Sequence, residues 1–122
     1  MNAYLLVFIG GGLGSLCRFG IARLLHHFSW VSLFPWATFL ANALSCVLLG
    51  SLVALLQKNG PGATTKLLLI TGFCGGFSTF STFSNETFQL FQQGAVGYAL
   101  LNVGGSLLVG LLGIFLGMKL VL

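Results

Sequence analysis

The chain has 122 residues, a formal net charge of +4, 57% hydrophobic residues and only 5% charged ones, against about 25% charged in an ordinary soluble domain. Six charged side chains cannot coat a soluble globule of this size, and the basic residues are scattered rather than gathered in a patch, which excludes a nucleic-acid partner. A membrane-crossing helix takes about 20 apolar residues, so the chain has room for four passes with short loops and none for a soluble domain.

Stretches free of Asp, Glu, Lys and Arg run over 1–17, 24–57, 67–85 and 87–118. They predict an all-α membrane protein, one domain over 1–122, with helices at 3–25, 36–57, 66–92 and 95–121. The first span reads as a retained helix rather than a cleavable signal, because its first positive charge, Arg18, follows the apolar stretch. Gly10-Gly11-Gly12-Leu13-Gly14 follows no strand and lacks Gly-Lys-Ser/Thr, so it is no phosphate loop. Gly10 and Gly14 instead form a small-residue ridge for close helix packing. Arg18 has only small helical neighbours, Gly11, Gly14, Ser15 and Ala22. It either snorkels to the interface or faces an aqueous vestibule. His26-His27 is expected in a solvated loop over 26–35, beside Trp30.

Pro35 suits the start of the second span, and Trp30 and Trp36 fit an interfacial aromatic belt. Asn42 lies between Ala41 and Ala43. Its amide has two donors and one acceptor group, and by itself reads as an interhelical hydrogen-bonding residue. Cys46, Gly50 and Ala54 form another ridge, and Asn59-Gly60-Pro61-Gly62 is a turn signal.

In the third span, residues 72–84 read Gly-Phe-Cys-Gly-Gly-Phe-Ser-Thr-Phe-Ser-Thr-Phe-Ser. Gly72, Gly75 and Gly76 are expected to weaken the helix in mid-membrane. The carbonyls and amides freed there are tolerable only inside protein or against a cavity. Ser-Thr-Phe then repeats with period three, which puts Phe80 and Phe83 on one helical face with Ser81 and Thr82 beside it. Glu86, the one acidic residue, pairs with Arg18, sits in an interfacial mouth, or couples to protons. In the fourth span Tyr98, Asn102 and Ser106 recur at i, i+4, i+8, a stripe that lines a wet track or joins two helices. Gly113 and Gly117 add a further ridge.

Cys17, Cys46 and Cys74 are odd in number and far apart, so they read as packing residues and not as a metal or disulfide framework. No catalytic Ser/His/Asp set or carboxylate pair is present, so the chain reads as no enzyme. With four spans, Lys58, Lys66 and Lys119 share one side against Arg23, plus Arg18 if it snorkels, on the other. So small a Lys/Arg difference orients chains weakly. Opposed copies can then pair through the small-residue ridges about an axis in the membrane plane.

Gly11-Gly12-x-Gly14-x-x-x-Arg18, then Asn42, then the 72–84 segment with Glu86 resembles the fluoride channels of the Fluc family, also called CrcB, over nearly the whole chain. The resemblance implies an antiparallel, dual-topology homodimer whose third helix is broken in mid-membrane and which holds two pores. It implies passive fluoride export from a prokaryotic cytoplasm, across the plasma (inner) membrane, as protection against fluoride toxicity. By the same resemblance Phe80 and Phe83 face the pore, Asn42 is its asparagine, and Ser81, Thr82, Tyr98, Asn102 and Ser106 form its polar track. Arg18 and Glu86 match vestibule residues. The backbone carbonyls of Gly75 and Ser78, from both subunits, match the holders of a central sodium ion. Two positions depart from the family: Ser78 stands where threonine is common, and Gly110 lacks a hydroxyl that some relatives have. The physics agrees, since fluoride is strongly hydrated and needs replacement donors, and phenyl edges carry partial positive charge. The rival, a proton-coupled four-helix multidrug transporter, needs a membrane carboxylate early in the chain, and the first span has none.

Overall fold

The computed structural model describes residues 2–28, 32–60 and 62–122. Trp30, assigned above to an aromatic belt, and Pro61 of the turn signal lie outside the described residues. Helix α1 runs Ala3–His27, capped by the Asn2 side chain, which accepts the Tyr4 N–H at 2.7 Å. It continues past the expected end, so His26 and His27 belong to its last turn and not to a loop. No glycine or proline interrupts the chain there, and imidazoles suit the negative end of a helix dipole. Helix α2 runs Trp36–Asn59 from Pro35 as its N-cap. Helix α6 runs Val96–Val121 from Ala95. Gly60 (φ 89°) ends α2, and Gly94 (φ 79°) makes the turn into α6, conformations that favour glycine.

The third span, Ala63–Gln92, is composite. It comprises α3 (Ala63–Thr65), a π-helical segment (Lys66–Cys74), α4 (Gly75–Phe77) and α5 (Phe80–Gln92). The expected break is present, at the Ser78 end of the segment and not at its glycines. Gly72, Gly75 and Gly76 stay helical, and the chain extends at Ser78 (φ −88°, ψ 154°) and Thr79 (φ −148°, ψ 122°). The reason is packing: Gly72 and Gly76 lie against the backbone of Gly10 and Gly11, so these glycines serve close approach and α1 holds them in register.

The helices form two parallel pairs. Helix α1 lies along the third span as far as α4, and α2 along α6. A Cβ on Gly10 would fall on the Leu68 carbonyl oxygen, and one on Gly14 on that of Phe73. In the other pair, Gly50 meets the Ile114 carbonyl and Gly117 that of Val47. The Ser51 hydroxyl bridges the Val47 and Gly117 carbonyl oxygens, each at 3.0 Å. Helix α5 rests mainly on α6.

All four spans are long and apolar enough to cross a membrane. Their outer faces carry large apolar side chains such as Tyr4 (87% exposed), Phe8 (77%) and Leu120 (77%). The chain is a multi-pass membrane protein. Its surface of 7590 Å² exceeds the about 6,300 Å² of a compact chain of its mass.

Candidate functional site

The break in the third span organises the polar residues. When a helix ends, its last four carbonyls and the next helix's first four N–H groups lose their partners. Asn42 of α2 answers part of this. Its Oδ1 accepts the Thr79 N–H at 2.9 Å and its Nδ2 donates to the Thr79 carbonyl at 3.5 Å. One amide hydrogen of Asn42 remains uncommitted by these two bonds. Thr79 then caps α5: its Oγ1 accepts the Thr82 N–H at 3.3 Å, donates to Thr82 Oγ1 at 3.3 Å, and lies 3.3 Å from Ser81 Oγ.

On the other side of the break, the Cys74 carbonyl accepts the Ser78 N–H (3.1 Å), the Ser78 hydroxyl (2.9 Å) and the Ser45 hydroxyl (3.2 Å). The Gly76 carbonyl accepts from Arg18 Nε at 3.3 Å. Gly75 and Ser78 differ. The N–H groups four residues on, those of Thr79 and Thr82, are turned to Asn42 and to Thr79 Oγ1. Gly75 also stands on an open face, with nothing within 4 Å of the Cβ position.

A groove of about 270 Å³ opens along this break, lined by Asn42, Cys46, Ser78, Thr79, Phe80, Phe83, Ser106 and Leu107. The Phe80 and Phe83 rings are 5.9 Å apart, tilted by 38°, and Phe80 is 76% exposed. Ser106 reaches back from the groove: its hydroxyl donates to Asn102 Oδ1 at 3.3 Å. Asn102, buried, donates to Thr87 Oγ1 at 2.9 Å, and Thr87 donates to the Phe83 carbonyl at 2.8 Å.

The structure thus gathers Asn42, Phe80, Phe83, Ser81, Thr82 and Ser106 at the break, with Asn102 directly behind them. It does not bring Tyr98, expected on the polar track, to the break, and Arg18 and Glu86, expected at the vestibules, lie on either flank of it. Tyr98, half exposed, lies against Phe34 at 6.4 Å between ring centroids. Arg18 is joined to the break from the α1 side, on Gly76. Glu86 is one turn beyond Thr82 on α5, lining two small hollows with Ser32 and Pro35. Among the described residues Glu86 makes no ion pair with Arg18. Its Oε1 is buried without a hydrogen-bond partner among them. Thr79 and Thr87 were not singled out from the sequence. Thr79 did carry a signal, a threonine before a helix start with a hydroxyl three residues on. Thr87 carried none.

The described residues hold no cluster of three or more His, Cys, Asp or Glu. Carbonyl oxygens released at Gly75 and Ser78 suit a hard cation, whereas the amide, hydroxyls and N–H groups at the start of α5 suit an anion.

The profile of the family described as CrcB-like protein, Camphor Resistance (CrcB), matches residues 5–118. A fluoride-specific ion channel FluC of Novosphingobium aromaticivorans is 42% identical over 120 residues, 98% of this chain and 95% of that protein. A protein of the same description from Thermus thermophilus is 45% identical over 120 residues, 98% and 95% of the two chains. One from Phocaeicola vulgatus is 39% identical over 117 residues, 96% of each.

Proposed function

The chain belongs to the CrcB-like family, and from that premise we propose that it is a passive fluoride channel and not an enzyme. The observation that carries the reading is the break at Ser78–Thr79, the two extended residues near the middle of the third span. There the N-terminus of α5, Asn42 with its spare hydrogen, and the rings of Phe80 and Phe83 meet at one groove, with Ser81 and Thr82 beside it in the first turn of α5. Each can replace a water around a small anion. No carboxylate lines that groove, which disfavours the proton-coupled drug transporter. Ser106 and Asn102, on one stripe of α6, extend the path, with Tyr98 at its rim and Arg18 and Glu86 at its mouths.

The active unit is an antiparallel, dual-topology homodimer in the bacterial inner membrane, exporting fluoride from the cytoplasm and so limiting its toxicity. Two features support a second copy. The lysines and arginines divide almost evenly between the two sides, three against one or two. In addition, Gly75, Ser81, Ser84 and Asn85 are exposed in mid-span, where lipid cannot satisfy them. A sodium ion on the dimer axis, held by the Gly75 and Ser78 carbonyls of both copies, would take up oxygens that have lost their helical donors.

The test is fluoride efflux from liposomes, with chloride as control and no proton gradient. Fluoride-specific efflux is expected, and efflux that is absent or needs a proton gradient removes the reading. For dual topology, lysines are added to one set of loops. Each biased chain alone should be inactive, and oppositely biased chains together should conduct. A singly biased chain, shown to insert one way and conducting fully alone, rules out the antiparallel dimer.

A further inference from the structure

Away from the break, α2 and the start of the third span stand apart over a groove of about 750 Å³. Its volume falls within the about 300–1,000 Å³ of ordinary ligand sites. The seam is open because α2 packs chiefly on α6, and the third span chiefly on α1. Val53, Leu56, Ala63 and Ile70 line it, and Gln57 and Lys66 are its polar side chains. The polar pair lies near the end of α2 and the start of the third span. Val53 and Ile70 lie one helical turn deeper, about 6 Å at 1.5 Å per residue. The groove therefore has a cationic, hydrogen-bonding mouth at the interface and an apolar floor in the hydrocarbon, which is the polarity of an amphiphile.

The charge at that end is unbalanced. Parallel packing brings the end of α6, with Lys119, to the same side as Lys58 and Lys66. Lys119 is placed over the Phe115 ring, 5.5 Å from its centroid. Lys58 and Lys66 are exposed, and the sole acidic residue of the chain, Glu86, lies in α5 beyond the break.

We propose that this groove is a binding site for one anionic phospholipid, its phosphate on Lys66 with Gln57 beside it and one acyl tail against Val53, Leu56 and Ile70. Phosphatidylglycerol is the occupant to which the chemistry commits. The assignment is independent of which ion the chain conducts.

The test is native mass spectrometry of delipidated protein in neutral detergent, titrated with dioleoyl phosphatidylglycerol, dioleoyl phosphatidylcholine or glycerol 3-phosphate. Phosphatidylglycerol should bind at least about fivefold more tightly than phosphatidylcholine, the size of one lysine–anionic lipid contact. Lys66→Gln should remove that preference and leave phosphatidylcholine binding as in the parent. Ala63→Trp, which fills the groove, should weaken both lipids. If Ala63→Trp does not fold, Lys66→Gln decides alone, because it changes no apolar wall. Equal binding of the two lipids by the parent, or an unchanged preference in Lys66→Gln, overturns the proposal. So does glycerol 3-phosphate displacing the lipid, which would reduce the site to a phosphate contact.

Discussion

The two halves of the third span obey different rules. From Ala63 to Phe77 it is packed by its own chain: Gly72, Cys74 and Phe77 are buried, and Gly10 and Gly14 let α1 approach to backbone contact. From Phe80 to Gln92 it is sparsely covered: Phe80, Ser81, Ser84, Asn85, Phe88 and Gln89 are exposed, and only Thr87 and Leu90 are buried. One half is fixed along α1, apart from the open face at Gly75 and the groove at its start. The other presents hydroxyls, amides and aromatic edges that hydrocarbon alone does not satisfy, so its complement lies outside the chain, in an ion path or a second copy. The junction between them is held by Asn42, which closes the break from another helix.

The largest effect should come from the packed half. In Gly14→Val the new side chain would meet the Phe73 carbonyl and the Phe77 backbone. Overpacking typically costs about 1–3 kcal/mol, and two backbones cannot give way as side chains do, so little folded protein should be recovered on size exclusion. Gly75→Val makes the contrast sharp. Gly75 is helical (φ −64°) and nothing lies within 4 Å of its Cβ position, so the chain should fold. If the dimer axis passes there, light scattering in detergent should report monomer and flux should vanish. A conducting Gly75→Val dimer would move the axis elsewhere.

Next comes the junction. Asn42→Asp keeps an oxygen for the Thr79 N–H but loses the donor to the Thr79 carbonyl and the spare hydrogen. A carboxylate there also repels an anion by several kcal/mol. Fluoride flux should fall by at least about a hundredfold, with recovery of folded protein close to the parent's. Flux near parental levels would leave Asn42 as a structural clamp only.

The exposed half should respond less. Phe80→Ile and Phe83→Ile each remove a phenyl edge from the groove. Such edges are worth about 0.5–1.5 kcal/mol, so flux should fall roughly two- to tenfold in each. Parental flux in both would reduce the rings to packing.

These effects divide as the sequence did. The four spans were legible because charge-free stretches in so apolar a chain leave little choice of solvent, and the glycine ridges because lipid offers helices no other drive to associate. The place of the break was legible only in part, since the resemblance put it around Gly75 and Ser78. Glycine content pointed to Gly72, Gly75 and Gly76, whereas Ser78 and Thr79 yield because Asn42, 37 residues upstream of Thr79, supplies the lost partners. No local rule carries that information. The same holds for Thr87, whose role follows from Asn102 across the turn at Gly94. The i, i+4, i+8 stripe puts Tyr98, Asn102 and Ser106 on one face, but only the structure links Asn102 to Ser106 and sets Tyr98 apart.

Tyr98 gives the smallest expected effect and the finest test of where the path ends. It shares the face of Asn102 and Ser106, yet its ring lies against Phe34, 6.4 Å between centroids, and is half exposed. It is absent from the lining of the groove at the break. Tyr98→Phe removes only the hydroxyl and keeps the ring contact. A hydroxyl beside the ion would contribute about 0.5–1.5 kcal/mol as a hydrogen bond, whereas one at the rim exchanges freely with water and contributes little. The structure favours the rim, so fluoride efflux from Tyr98→Phe liposomes should stay within about twofold of the parent. A fall matching Phe83→Ile would place Tyr98 in the path and lengthen the polar track by a full two turns of α6, from Ser106 through Asn102 to Tyr98.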